Sequence, residues 1–203
     1  MSDFFETFAQ QVAATSIWEW LAVALAIAYV LLAIKENIWC WVAAFFSTAI
    51  YTVLFYDVNL FMESLLNVYY LLMAVYGFYQ WRFTGRKGND KPISRWSIKT
   101  HLICIVGLIV TVAVSGYLLD NYTTQDFAYV DSFTTWFAVF TTYLLAQKVL
   151  ENWLYWVVID FVSVFLYWEK GLLITAILFA GYTVMAIIGW LEWKKHYEQQ
   201  KTT

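Results

Sequence analysis

Charge is what this chain has least of. Asp, Glu, Lys and Arg make up 13% of its 203 residues, about half the roughly 25% usual in soluble domains. A water-facing surface could not be covered with so little. The balance also excludes a basic surface for nucleic acid, since the formal charge is −3 and the sequence pI about 5.3. Proline occurs once, as Pro92, in the one strongly polar internal stretch. Cysteine occurs twice, and Cys40 and Cys104 both lie inside apolar runs. Two cysteines are too few for a disulfide framework and are wrongly spaced for a metal, so free buried thiols are expected. Histidine is limited to His101 and His196. Neither has a serine or a metal ligand at motif spacing, which argues against intramembrane hydrolysis, and no cofactor is expected.

What is abundant is apolar: 62% of the chain is hydrophobic and 21% aromatic. A spanning helix needs about 20 mostly apolar residues, and seven stretches qualify: Ile17–Ile34, Ile38–Tyr56, Leu60–Phe83, His101–Leu119, Ala128–Leu145, Trp153–Trp168 and Leu172–Trp193. The fifth is the least apolar, with Thr134, Thr135, Thr141 and Thr142. Trp and Tyr gather near several ends, where amphipathic rings suit the headgroup zone. Residues 1–16 carry Asp3 and Glu6 and no basic residue. They are expected as an amphipathic lead-in on the outside rather than as a cleaved signal peptide.

Basic residues set the orientation. Residues 84–100 are expected as a basic cytoplasmic loop, with Arg86, Lys87, Lys91, Arg95 and Lys99 just beyond Arg82, and the tail 194–203 adds Lys194, Lys195 and Lys201. With both inside, the N-terminus is outside and the C-terminus cytoplasmic. Lys35 and Lys148 then also fall inside, and Lys170 is the one exception.

Self-comparison finds an internal repeat. At a constant offset of 112, Leu60–Arg82 aligns with Leu172–Lys194, pairing Tyr70 with Tyr182, Gly77 with Gly189 and Trp81 with Trp193. The preceding helix repeats through Glu36-Asn37-x-x-x-Trp41 and Glu151-Asn152-x-x-x-Trp156. The expected fold is therefore an all-α membrane protein of seven helices. A three-helix unit (17–83), a linker helix (101–119) and a second three-helix unit (128–193) follow one another. The linker adds one crossing, so the two units run parallel, as in several transporter families.

Ionisable groups inside a span are costly and suggest function. Glu63 lies near the start of the third span and Asp160 near the middle of the sixth. Glu63, Asn67, Tyr70, Ala74 and Gly77 advance at helical spacing, as do Asn152, Trp156, Asp160, Ser163 and Tyr167. The equivalent face of the seventh span is Thr175, Phe179, Tyr182, Ala186 and Gly189. Each has a plainer reading: Glu63 as a carboxylate wetted by headgroups, Asp160 bonded to a neighbouring Thr or Tyr, Asn152 as a helix cap and Trp41 or Trp156 as interface anchors. An aqueous path lined by acids, amides and rings suits a flat, cationic, partly aromatic solute held by cation–π attraction. The expected substrate-binding set is Trp41, Glu63, Asn67, Tyr70, Asn152, Trp156, Asp160, Phe179 and Tyr182, around a midplane cavity between the repeats. Apart from Arg82 at the inner end of the third span, no Lys or Arg lies within a span to hold an anion, and none in the seventh could form the Schiff base of a seven-helix retinal receptor.

The run Glu151-Asn152-Trp153-Leu154-Tyr155-Trp156, continuing Val-Val-Ile-Asp-Phe-Val-Ser-Val, resembles the sixth-helix signature of the Pnu vitamin transporters. Leu65–Tyr70 and Tyr76–Trp81 resemble that family's third helix, and the likeness covers essentially the whole chain. The resemblance implies a SWEET-like fold in a bacterial inner membrane and a homotrimer. It also implies energy-independent uptake of thiamine, nicotinamide riboside or a related precursor, trapped by cytoplasmic phosphorylation. Asn67, Ala74, Val75 and Ile188 stand where nicotinamide riboside members tend to have glutamine or asparagine, and Asp160 where some have asparagine. Fewer amides and one more acid tilt the expectation slightly toward thiamine, a permanent cation.

Overall fold

The structure is a computed structural model and describes residues 15–57, 61–85, 91–123 and 126–202, the side chains of residues 61–63 excepted. Residues 1–14 of the lead-in, Leu60, the Glu63 side chain, and Arg86 and Lys87 of the basic loop therefore lie outside it. Seven helices make up the described residues: α1 (Ile17–Ile34), α2 (Trp39–Asp57), α3 (Phe61–Phe83), α4 (Ile98–Tyr122), α5 (Ala128–Ala146), α6 (Asn152–Glu169) and α7 (Leu173–Thr202). By length and apolarity alone α1, α2, α4 and α7 could cross a membrane.

Local chemistry sets the ends. Ser16 opens α1 with a capping box, its hydroxyl accepting from the Glu19 N–H while the Glu19 carboxylate accepts from the Ser16 N–H. Ser97 accepts from the Thr100 N–H (3.1 Å), so α4 begins three residues before His101. Nothing after Trp193 breaks the helix, and α7 carries the tail through Thr202. The hydroxyls of Thr134, Thr141 and Thr142 donate to the carbonyls of Val130, Phe137 and Ala138, one turn back. That back-bonding makes α5 less polar than its composition reads.

The chain divides into two compact units, Met1–Pro92 and Ile93–Thr203. In the first, α1 packs on α2 and α2 on α3. The buried Ser47 hydroxyl crosses from α2 to the Ala22 carbonyl of α1 (2.8 Å), a close approach that the small Ala22 permits. In the second unit, α4 packs on α5, α5 on α6 and α6 on α7. Leu108 and Val112 of α4 rest on a core of Phe137, Ala138 and Ile159, and the Trp136 indole donates to the Ser115 hydroxyl (3.1 Å). A Cβ added at Gly116 would fall 2.4 Å from the Tyr129 ring. That ring is 46% exposed and can swing aside. Gly116→Ala should therefore change stability by less than about 1 kcal/mol, the gain in helix propensity offsetting the displaced ring. Thermal melts of the purified variant check this.

The repeat extends further than its motifs suggested, and in a different register. Glu36 and Lys148, 112 positions apart, both take the left-handed conformation at φ 52. Around them the same bonds recur: Glu36 N–H to Ala33 O (3.0 Å) against Lys148 N–H to Leu145 O (2.9 Å), and Asn37 N–H to Leu32 O against Val149 N–H to Leu144 O, both 2.9 Å. The partner of Trp41 is thus Trp153, not Trp156, and the shared Glu-Asn pairs are a coincidence of local sequence. Packing agrees. Trp41 lies on Gly77 and edge-on to Trp81 (5.4 Å), and Trp153 on Gly189 and edge-on to Trp193 (5.6 Å).

Candidate functional site

Residue 160 lies two turns from both Trp153 and Tyr167, so the three share one stripe of α6. At one end of that stripe Trp153 meets Gly189 of α7. At the other, Tyr167 stacks on Phe179 of α7 (5.1 Å, 19°) and Tyr182 stands edge-on to Phe179 (5.7 Å, 90°). Asp160 therefore sits midway along the α6–α7 seam, 4% exposed. No hydrogen bond or ion pair reaches its carboxylate from any described residue. Ser163, one turn on, donates its hydroxyl to the Ile159 carbonyl (2.9 Å) instead. At the repeat-related position Thr48 is self-satisfied, donating to the Ala44 carbonyl (2.8 Å). At this repeat position one unit carries a hydroxyl satisfied within its own helix, and the other a lone acid.

The remaining candidates divide between roles. Asn152 is 0% exposed, and its amide donates to the Val149 carbonyl (2.7 Å), fixing the α5–α6 turn. Its Oδ1 is buried without a partner among the described residues. Trp156 packs against the Phe137, Ala138 and Ile159 core, the side of α6 that faces α5. The five polar and aromatic positions read as one face of the sixth helix therefore split, Trp156 toward α5 and Tyr167 toward α7. Trp41 is 2% exposed and acts as the clamp on Gly77. Asn67 and Tyr70 are half-buried on α3, where Tyr70 meets Tyr69 edge-on (5.5 Å). In the first unit a groove of about 230 Å³ is lined by Trp41, Val42, Phe45, Ala74, Val75 and Phe78. In the second, one of about 330 Å³ is lined by Tyr129, Val130, Phe133 and Val162. Both are apolar, and of the nine candidates only Trp41 lines either.

Sequence reasoning put Tyr167 on the helix face of Asp160 but left it out of the expected binding set. It also passed over a polar knot in the second unit. There Glu151 takes the Arg95 Nε (2.6 Å) on one oxygen. The other oxygen lies 3.4 Å from the Trp96 N–H and 3.7 Å from His101 Nε2. The hydrogen bond to Glu151 pushes the Arg95 pKa above its already high value. Among the described residues no group of His, Cys, Asp and Glu could hold a metal.

An all-helical chain, four of whose helices are apolar enough to cross a membrane, with an unpaired acid buried in a helix seam, is built as a solute transporter rather than as an enzyme. More particularly, the chain belongs to the nicotinamide mononucleotide transporter family, whose model matches residues 16–195. It is 21% identical to the nicotinamide riboside transporter PnuC of Escherichia coli over 172 residues, 72% of each chain. It is 23% identical over 167 residues to the riboflavin/roseoflavin transporter RibM of Streptomyces davaonensis, covering 80% of this chain and 77% of that one. Its fold matches a crystal structure of the vitamin B3 transporter PnuC with a TM-score of 0.72 at 19% identity, over 95% of this chain and 87% of the other. The Pnu resemblance is thereby confirmed, and with it a bacterial membrane transporter that is not an enzyme.

Proposed function

We propose that this transporter carries a cationic B-vitamin or vitamin precursor into the cell by facilitated diffusion, thiamine ahead of nicotinamide riboside, with cytoplasmic phosphorylation trapping the solute. The observation that carries the reading is Asp160, a carboxylate 4% exposed with no hydrogen bond or ion pair from a described residue. A buried acid without a counter-charge is costly, and a transported cation would supply one. Phe179 and Tyr182, on the α7 side of the same seam, offer rings to the solute body, while Trp156 acts from the α5 side of α6 through the core it packs on. Trp41 and Asn152 serve the site indirectly, through helix packing and turn geometry.

In this reading the chain crosses the membrane seven times in the three-one-three parallel arrangement of SWEET transporters, as a homotrimer with its N-terminus outside. Lys170, the one lysine which that orientation leaves outside, supports it. Its ammonium is held by both oxygens of Asp131 (3.1 and 2.9 Å), so it does not count as a free positive charge. Riboflavin, the solute named for one relative, is uncharged and would leave Asp160 unanswered. Side-by-side calorimetry of thiamine, nicotinamide riboside and riboflavin against the purified protein tests the choice. Thiamine should bind most tightly, with nicotinamide riboside within about tenfold. Binding of riboflavin alone would overturn the cationic reading, and accumulation driven by a proton or sodium gradient in vesicles would overturn facilitated diffusion.

A further inference from the structure

The division between the two units falls between Pro92 and Ile93, and the residues just after it are bound unusually firmly. Ser94 forms a parallel bridge with Val149. Its N–H donates to the Lys148 carbonyl (2.9 Å), and its own carbonyl accepts from the Leu150 N–H (2.8 Å). A segment ahead of the linker thus adds main-chain bonds to the α5–α6 turn of the second repeat.

Side chains then lock it. The Glu151 carboxylate, in the buried turn, takes the Arg95 guanidinium on one oxygen and faces the Trp96 N–H and His101 ring with the other. His101 Nδ1 lies 3.0 Å from the Tyr155 hydroxyl of α6. The Trp96 ring is set among His101, Phe140 and Tyr143 at 5.9 to 6.5 Å. From there α4 stays fastened along its length, by Leu108 and Val112 on the shared core, Ser115 on Trp136 and Gly116 on Tyr129. Main-chain bonds reinforced by a partly buried charge-assisted hydrogen bond hold a segment firmly in place.

We infer that the linker helix is a fixed part of the second unit, latched to it through Glu151, and that the chain's moving joint lies immediately before the latch at Pro92–Ile93. Relative motion is the default for compact units joined by one stretch of chain. Here it is confined to one side of the linker. The linker does not behave as a neutral hinge between equal halves. It travels with α5, α6 and α7 while α1, α2 and α3 move against that body.

The test is pulsed dipolar spectroscopy on full-length protein in nanodiscs, in a background with Cys40 and Cys104 replaced by alanine. Spin labels go at three exposed positions, Ile109 of α4, Val158 of α6 and Leu72 of α3. The 109–158 pair should give one narrow distance distribution, unchanged by millimolar thiamine, nicotinamide riboside or riboflavin. The 109–72 pair should be at least twofold broader or shift with a binding solute. Glu151→Ala, and independently Arg95→Ala, should broaden the 109–158 distribution about twofold. Equal widths for the two pairs, or a 109–158 distribution indifferent to both substitutions, would overturn the inference. The measurement needs no transport activity, so it stands or falls separately from the substrate assignment.

Discussion

Replacing Asp160 by asparagine should weaken binding of a cationic solute by about 2–5 kcal/mol, the usual cost of losing one partner of a buried charge pair. At the low end that is roughly 30-fold in affinity, and uptake into proteoliposomes should fall accordingly. The same substitution should leave the empty protein at least as stable as the parent. Without solute, the carboxylate is buried in the α6–α7 seam at 4% exposure with no hydrogen bond from a described residue. The neutral amide removes that desolvation penalty while keeping the shape. Lower uptake with an unchanged or higher melting temperature is the signature of a site that sacrifices stability for function. An uncharged solute such as riboflavin should barely notice the change. Asp160 would leave the mechanism if the asparagine variant carried thiamine at the parental rate. A variant that melted several degrees lower would make it a structural acid instead.

The elements were legible because an apolar run in this chain has one option, a helix, and its ends carry their own signals. Ser16 with Glu19 marks the start of α1, and the short Lys35-Glu36-Asn37 turn separates α1 from α2. The register of the second helices was misread for a physical reason. Glu36-Asn37 and Glu151-Asn152 match as letters, but the register is set by a left-handed turn residue, which Glu36 and Lys148 supply, and by an indole on a glycine. Extending the gapless offset of 112 from α3 and α7 into α2 and α6 would have paired Trp41 with Trp153 directly. The polar face of α6 was misjudged because that helix is packed on two sides, by α5 and by α7. Helical spacing tells which residues are neighbours, not which neighbour helix they meet. The Glu151 knot was out of reach for another reason. Its partners lie more than 50 positions away at Arg95 and Trp96, and no local pattern announces such a pairing.

Gly189→Ala should be the most damaging small substitution in the second unit, and the contrast with Gly116 explains why. A Cβ at Gly189 would fall 2.6 to 2.7 Å from three atoms of the Trp153 indole. That indole is 2% exposed and is braced edge-on by Trp193, itself 0% exposed, so it has nowhere to swing. Overpacking of a fixed core usually costs about 1–3 kcal/mol, and here the cost should reach the upper end despite the helix-propensity gain of about 1 kcal/mol. Gly77→Ala should behave alike in the first unit, where the added carbon would lie 2.4 Å from Trp41. Removing the wall instead, by Trp153→Ala, should cost about 3–5 kcal/mol through the cavity left behind. The two changes act on one contact and will not add. In the double variant the new methyl occupies space that the indole vacated, so its loss should be smaller than the sum by about 1 kcal/mol or more. Thermal melts of the four proteins in one detergent give this coupling. Additive losses would show that the indole is free to move, and the clamp would then not hold α6 against α7. If the coupling appears in both units, each repeat keeps its second and third helices as a rigid pair. The acid in the second pair's seam, Asp160, is then held at a fixed place between two helices that do not part.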